Sequence, residues 1–509
     1  MNICLLNDSF PPVIDGVANV VMNYGRILTS ELGAEVVVGT PRYPDAKYDG
    51  YPYKVIPYSS FDTSELVKGY RTGNPLAMRE IMQMAEFGPD IIHTHCPAAS
   101  TLMARILQNE TGAPIVFTYH TKFDVDIARA VGDGFLKKET VKAMVKNIEA
   151  CDEVWVVSEG AGDNLKSLGY EGDVHVMNNG VDFAKGRVDA DKVKEVTGGH
   201  DLPEGIPVFL FVGRIIKYKG LPLIIDALKK LSEDGIDYRM VFIGSGPDME
   251  EMQQKVKDLG ICCINEKGDA SESSLPGKVI FTGPVYDRDI LRAWNTRADL
   301  FLFPSVYDTN GIVVREAAAC GLGSVLIKKS CAAEGITDGR NGYLIDENAE
   351  SMAALLKKAA GNLDAVHDVG QHAMDEIYIS WSDAVHAAYE RYGIIRDMVK
   401  NKKLPVKKKQ SSDYVLESAA TIIKGTEHIF DIPRNIYGGM KENFEDFKVD
   451  FKEDLEEFKD RLPDGVKEFS ENAREITEKT KNSVLKSMEF AGRSVKEGLD
   501  MSINGMKRE

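Results

Sequence analysis

Short runs of valine, isoleucine, leucine and phenylalanine recur along the chain to about residue 400, each followed by a stretch with helical spacing. A strand buried on one face would alternate polar and apolar residues. These runs do not alternate, so both faces must be covered, as in a parallel sheet wrapped by helices. One series comprises Ile3 to Leu6, Glu35 to Gly39, Ile91 to His93, Ile115 to Thr118 and Val154 to Val157. A second comprises Val208 to Val212, Met240 to Ile243, Val279 to Phe281, Leu300 to Phe303 and Ser324 to Ile327. Two series predict two doubly wound α/β domains rather than one. The turn-forming cluster Asn179-Gly180-Val181-Asp182 closes the first, which gives domains of 1–182 and 183–380. In such sheets ligands sit outside the carboxyl ends of the strands, so two facing domains would hold a ligand in the cleft between them.

Composition removes several alternatives. The net charge is −17, so the molecule as a whole is not built to coat nucleic acid, although local basic patches remain available for phosphate or anionic lipid. The seven cysteines are odd in number, form no C-x-x-C and fall mostly in apolar stretches, which reads as buried thiols in a reducing cytosol. No run of about 18 uncharged apolar residues is present, so no membrane-spanning helix is expected. The opening MNICLLNDSFPP has no basic region before its apolar run and reads as a first strand, not a signal peptide.

Four constellations follow predicted strands. Phe10-Pro11-Pro12-Val13-Ile14-Asp15-Gly16-Val17-Ala18 places Gly16 at a helix start, where backbone N–H groups can approach an anion; a plain strand-to-helix turn would look the same. Gly213-Arg214-Ile215-Ile216-Lys217-Tyr218-Lys219-Gly220 carries two long cations, Arg214 and Lys219, able to grip a diphosphate from two sides. In Phe303 to Ala317, Asp308 falls in a loop and Glu316 in the following helix, and both carboxylates could accept hydrogen bonds from sugar hydroxyls. Between them Asn310, Gly311, Ile312 and Val313 offer N–H groups at a helix N-terminus. Glu316 lies among Val313-Val314 and Ala317-Ala318-Ala319, where an unpaired charge is costly. Last come His93-Thr94-His95 and Tyr119-His120-Thr121. The H-x-H raises the question of zinc, but no Cys/His quartet with structural spacing accompanies it.

Taken together, GRIIKYKG, GSGP (Gly244 to Pro247) and PSVYDTNGIVVREAAACG resemble the donor half of family 4 glycosyltransferases, and FPPVIDGVA, HTHCP and TYHTKFD resemble the acceptor half. The resemblance spans about residues 1 to 395. It looks most like the branch that glycosylates diacylglycerol or related membrane lipids. It implies a GT-B fold: two facing Rossmann-like domains, an N-terminal acceptor domain and a C-terminal nucleotide-sugar domain. From Trp381-Ser382 a helix, 381–399, would return to the first domain. It also implies retaining transfer of a hexose from a UDP- or GDP-sugar, without a cofactor or metal. Arg214 and Lys219 would neutralise the departing diphosphate. Glu316 would hold the ribose, Gly16 would let its loop meet the phosphates, Gly244 would line the donor site, and His120 would contact the sugar near the reacting carbon. The family's first carboxylate is usually glutamate, here Asp308, and an aromatic usually stands at Asn310; both departures lie beside the sugar.

The α/β rhythm stops at KNKKLPVKKK (400–409), with six lysines and a proline, which reads as a linker to a helical tail, 410–509. Phe444, Phe447, Phe451, Leu455, Phe458 and Leu462 form one apolar stripe on an acidic segment, suited to a coiled-coil partner. Val484, Met488, Ala491, Val495 and Leu499 form a second; residues 479–508 carry seven bases against three acids, suited to an anionic membrane surface. The expectation is a cytoplasmic enzyme held peripherally on the inner face of the cell membrane, with a lipid acceptor and no nucleic-acid partner. Two other readings stand beside it: a soluble enzyme acting on polysaccharide or a small molecule, and a non-catalytic sugar-nucleotide-binding scaffold.

Overall fold

The structure, a computed structural model, describes residues 1–403 apart from 14, 45, 63–69, 125–126 and 128–133. Most of the basic linker and both stripes of the tail therefore lie outside the described residues. The described strands of the first half are β1 (Asn2–Leu6), β2 (Glu35–Pro41), β3 (Lys54–Tyr58), β4 (Ser60–Asp62), β5 (Arg71–Gly73), β6 (Ile91–Thr94), β7 (Ile115–Tyr119), β8 (Glu153–Val156) and β9 (His175–Val176). Those of the second half are β10 (Val208–Val212), β11 (Arg239–Ile243), β12 (Cys262–Ile264), β13 (Lys278–Gly283), β14 (Leu300–Phe303), β15 (Ser324–Ile327) and β16 (Tyr343–Ile345).

They build two seven-stranded sheets, ordered β3-β2-β1-β6-β7-β8-β9 and β12-β13-β11-β10-β14-β15-β16, with β4 and β5 as a small antiparallel pair. Every pairing in the two large sheets is parallel. The central strands are buried on both faces: Phe209, Leu210, Met240, Val241, Leu300 and Leu302 are fully covered. Burying each such side chain contributes on the order of 1.5–3 kcal/mol. This is the GT-B architecture of two Rossmann-like units. The strands that patterning does not reveal are mostly short outer ones, β3, β9, β12 and β16. β3 also contains Pro57, which a sheet tolerates at its edge, where one missing N–H breaks no ladder.

Both sheets reverse direction near their middle. In the first the chain builds outward from β1 through β2 to β3, then restarts at β6 on the other side of β1. In the second it restarts at β14, beside β10. The loops after β1, β6, β10 and β14 diverge at these points and open the crevices where ligands bind in such sheets.

Helix Trp381–Lys400 starts at Ser380, whose side chain forms a capping box with Asp383. Its buried face, Trp381, Ala384, Val385, Ala388, Tyr392 and Ile395, follows helical spacing and shares a core with Val20, Val21, Tyr24, Ile27 and Leu28 of helix Gly16–Ser30. The chain passes between the halves at two adjacent points, since Val181 bridges Ser380. Gly180 permits this crossing: a Cβ there would lie 2.4 Å from backbone atoms of Ser380 and Trp381. Among the described residues no helix is long and apolar enough to cross a membrane. All seven cysteines are free, five of them buried.

Candidate active site

In the first half, the β1 loop is fixed by two aspartates. Asp15 caps helix Gly16–Ser30: one oxygen accepts the Ala18 N–H at 2.7 Å and the other the Tyr70 hydroxyl at 2.9 Å. Gly16 opens the helix, and a Cβ there would meet nothing within 4 Å, so packing within the chain does not demand glycine. Asp8 is half-buried and accepts the Ser100 N–H at 2.8 Å and the Tyr58 hydroxyl at 3.5 Å. It thereby caps helix Ala99–Thr111, which lacks a side-chain cap of its own. Burial raises its carboxyl above the usual range, against the pull of these bonds.

The histidines stand at the ends of β6 and β7 and are all buried. His93 bonds the Tyr392 hydroxyl through Nδ1 and, through Nε2, Thr118 Oγ1 at 2.7 Å. His95 Nδ1 lies 2.9 Å from His120 Nε2. The His95 ring lies tilted against His93, with centroids 4.0 Å apart, and meets His120 edge to edge, with centroids 5.2 Å apart. Burial depresses all three, His120 to about 3, so the rings are neutral at physiological pH. Among the described residues no group of three His, Cys, Asp or Glu is placed to hold a metal ion.

The second half presents charges instead. Lys219 ends the short 3-10 turn after β10, lies over the Phe303 ring and meets Asp308 Oδ1 at 3.0 Å. The other Asp308 oxygen accepts the Ser305 hydroxyl. Arg214 is exposed and donates to the Tyr218 hydroxyl at 3.2 Å. Burial and Asp15 raise the Tyr70 hydroxyl while the Arg214 charge pulls it back, so Arg214 lies within electrostatic reach of Tyr70. Gly244, after β11, packs backbone against backbone: a Cβ there would fall 1.9 Å from the Gly213 carbonyl oxygen, so any other residue would displace the Arg214 loop. Helix Ile312–Ala319 begins at Gly311 with no side-chain cap, which leaves the N–H groups of Ile312 and Val313 at its head for a ligand. Asn310 is buried and neither end of its amide has a partner.

Glu316 stands in the second turn of that helix, buried among apolar residues. Burial raises its carboxyl and Arg288, which donates to Oε1, draws it back down. Arg288 also lies 3.7 Å from Asp182 and 4.5 Å from the Phe183 ring centre. Lys219 and Asp308 are thus brought into direct contact, whereas Glu316 is joined to Arg288, a residue the motifs do not single out. A signal for Arg288 existed: it opens helix Arg288–Arg297 directly after Asp287, and a cation at a helix N-terminus opposes the dipole unless something else holds it there.

The β14 loop is seated on the first half. The Thr309 hydroxyl donates to the His120 carbonyl, Ser158 donates to the Thr309 carbonyl, and Lys122 reaches the Val306 carbonyl at 3.2 Å. Glu334 accepts the N–H groups of Glu159 and Gly160 at 2.7 and 2.6 Å, capping a helix of the opposite half. His120 therefore adjoins the loop that carries Asp308 and Asn310.

Comparison with known proteins agrees with this fold. A family described as Glycosyltransferase Family 4 matches residues 14–185, and one described as Glycosyl transferases group 1 matches residues 206–362. The chain is 27% identical to the sulfoquinovosyl transferase SQD2 of Arabidopsis thaliana over 71% of its own length and 67% of the relative's. It is 23% identical to the alpha-monoglucosyldiacylglycerol synthase of Streptococcus pneumoniae over 74% and 81%, respectively. Among solved structures, HepE of Anabaena in complex with UDP aligns with a TM-score of 0.60 at 16% identity, over 77% of this chain and all of that one. Sucrose-phosphate synthase from Thermosynechococcus elongatus aligns with a TM-score of 0.60 at 18% identity, over 77% and 98%. At these identities the two structures speak for the fold alone.

Proposed function

We propose a sugar transfer to a membrane lipid, and the premise is the family: this chain belongs to the family 4 glycosyltransferases of GT-B fold. The donor is a UDP- or GDP-hexose, the acceptor a lipid hydroxyl such as that of diacylglycerol, and the anomeric configuration is retained without a metal. The observation that carries the donor reading is the Lys219–Asp308 pair, with Arg214 on the same loop, at the β10/β14 divergence.

The diphosphate lies between these cations and the N-terminus of helix Ile312–Ala319, where free N–H groups and the helix dipole favour negative charge. As the bond from the anomeric carbon to the phosphate oxygen breaks, charge grows on the diphosphate. Arg214 and Lys219 take up that charge, and Lys219 needs little reorganisation because Asp308 already holds it. The departing phosphate oxygen accepts the proton of the acceptor hydroxyl, which bonds to the anomeric carbon on the same face. Glu316, oriented by Arg288, accepts hydrogen bonds from the ribose hydroxyls. Asp308 and Asn310 border the sugar, and His120 approaches it from the opposite half. Gly16 leaves room for the phosphates at the head of its helix.

The lipid acceptor is supported by the monoglucosyldiacylglycerol synthases among the relatives. Peripheral attachment to the inner face of the membrane is supported by the basic second stripe of the tail and by helix Phe135–Glu149, whose Phe135 is 78% exposed. The test incubates the full chain with diacylglycerol in anionic vesicles and UDP-glucose, UDP-galactose or GDP-mannose in turn. The expected result is a glycolipid from one donor, with retained configuration by NMR and protein that sediments with the vesicles. Transfer to a soluble saccharide with none to lipid would replace the acceptor; binding of every donor without turnover would leave a scaffold.

A further inference from the structure

We propose that His95 is a positioning residue that holds His120 in the tautomer with its proton on Nδ1. The inference rests on the reading of His120 as the histidine beside the transferred sugar.

One proton lies between His95 Nδ1 and His120 Nε2, 2.9 Å apart. Each neutral ring carries a single N–H, so two arrangements exist. If His120 donated from Nε2, the His95 proton would sit on its Nε2. That atom is buried and has no partner, so a donor would be stranded in an apolar setting. If His95 donates from Nδ1, its Nε2 presents only an unfilled lone pair. Stranded buried N–H groups are the rarer defect, and the second arrangement is favoured. His95 cannot swing to find another partner. The His93 ring lies against it with centroids 4.0 Å apart, the Tyr24 ring packs edge-on at 5.7 Å, and His120 meets it edge to edge through the hydrogen bond. Nor does His93 compete for the proton, since Tyr392 and Thr118 occupy both of its nitrogens.

With Nε2 accepting from His95, His120 must carry its proton on Nδ1. It then offers a neutral N–H donor, able to bond a sugar oxygen. A neutral ring also suits its place. A protonated imidazole would repel the positive charge that develops at an anomeric carbon as its leaving group departs, and burial opposes that protonation. The part of His95 is to supply the hydrogen bond that selects the tautomer.

The test has a spectroscopic and a kinetic arm. With ring-15N histidine in the full chain, the His120 signals, assigned by their loss in His120→Gln, should show the proton on Nδ1. In His95→Phe the His120 Nε2 signal should move toward that of a ring nitrogen whose lone pair accepts no hydrogen bond. With an active donor and acceptor, His95→Phe should lower kcat about ten- to a hundredfold with the donor KM little changed, the scale of one lost hydrogen bond to a group under developing charge. His95→Asn places an amide N–H where Nδ1–H stood and should restore most of the rate; His95→Gln, whose amide sits further out, should not. Should the phenylalanine variant fail to fold, the Asn–Gln contrast carries the test. A proton on Nε2 of His120 in the native chain, or equal rates in the Asn and Gln variants, overturns the proposal. The NMR arm needs no turnover, so a chain that transfers no sugar would sink the proposed activity and still report the tautomer.

Discussion

The two halves are both seven-stranded parallel sheets that diverge at their centres, and they line their mouths with opposite chemistry. Around β1, β6 and β7 the first half gathers uncharged polar groups: three buried, neutral histidines and buried tyrosine hydroxyls such as those of Tyr43 and Tyr53. Around β10 and β14 the second half gathers ion pairs, Lys219 with Asp308 and Arg288 with Glu316. A fold fixes where a crevice opens; the residues just past the strands decide what it can hold. Ionic groups suit a diphosphate whose charge grows during reaction. Neutral hydrogen-bonding groups suit an acceptor hydroxyl and a sugar whose anomeric carbon becomes electron-poor.

The largest effect should come from breaking the ionic side. Lys219→Ala removes a cation already held in place at the point where leaving-group charge develops. The expected loss is about 2.7–4 kcal/mol in transition-state stabilisation, roughly a hundred- to a thousandfold in kcat, by analogy with deleting one preorganised oxyanion donor. Circular dichroism and melting should stay close to native, because Lys219 lies at the mouth rather than in the core. Near-native turnover of this variant would remove Lys219 from the site and leave the contrast between the halves without a catalytic meaning.

The neutral side should show itself in stability as well. Burial lowers His120 to about 3 in the folded chain, against an ordinary value near 6.5. Between those values the unfolded chain binds the extra proton, so stability contributed by the neutral ring is fully present above about pH 6.5 and lost as pH falls toward 3. The slope is about 1.4 kcal/mol per pH unit for one such group. Urea unfolding followed by tryptophan fluorescence between pH 7 and 5 should therefore be steeper for the native chain than for His120→Gln. Trp155, packed edge-on against His93, reports this half. Identical slopes would mean that the ring titrates freely, and the neutral character of the first half would fail with it.

What the sequence reveals follows the same division. Lys219 and Asp308 are 89 residues apart, yet each lies just past an apolar run, and adjacency of β10 and β14 is enough to join them. The continuous apolar runs likewise disclose both sheets, since burial on two faces leaves no other pattern. The Tyr392 hydroxyl meets His93 across 299 residues, and that contact depends on the rotation of helix Trp381–Lys400 about its own axis against helix Gly16–Ser30. Periodicity predicts which face of a helix is buried but not which polar atom on that face meets which partner. The Arg288–Glu316 pair is hidden for the same reason: Glu316 stands out by its apolar neighbours, and its partner is set by the packing of two helices. The short edge strands escape because one of their sides faces outward and their apolar content falls accordingly.

The smallest effect expected is none, and it bears on the ionic side most directly. If Arg214 and Lys219 supply the positive charge that a divalent cation supplies elsewhere, chelation should leave the rate unchanged. The protein is first dialysed against EDTA, then assayed with EDTA present and again with magnesium or manganese added. A constant rate within error is the expected outcome, in the native chain and in the residual activity of Lys219→Ala alike. The variant sharpens the comparison. A metal that had been assisting all along should matter more once a protein cation is gone, because the diphosphate would then lean on the remaining charge. Loss of activity on chelation, restored by either ion, would place a metal on the diphosphate and reduce Arg214 and Lys219 to binding the donor. The two halves would then differ in what they bind, and the charge that drives departure would come from outside the chain.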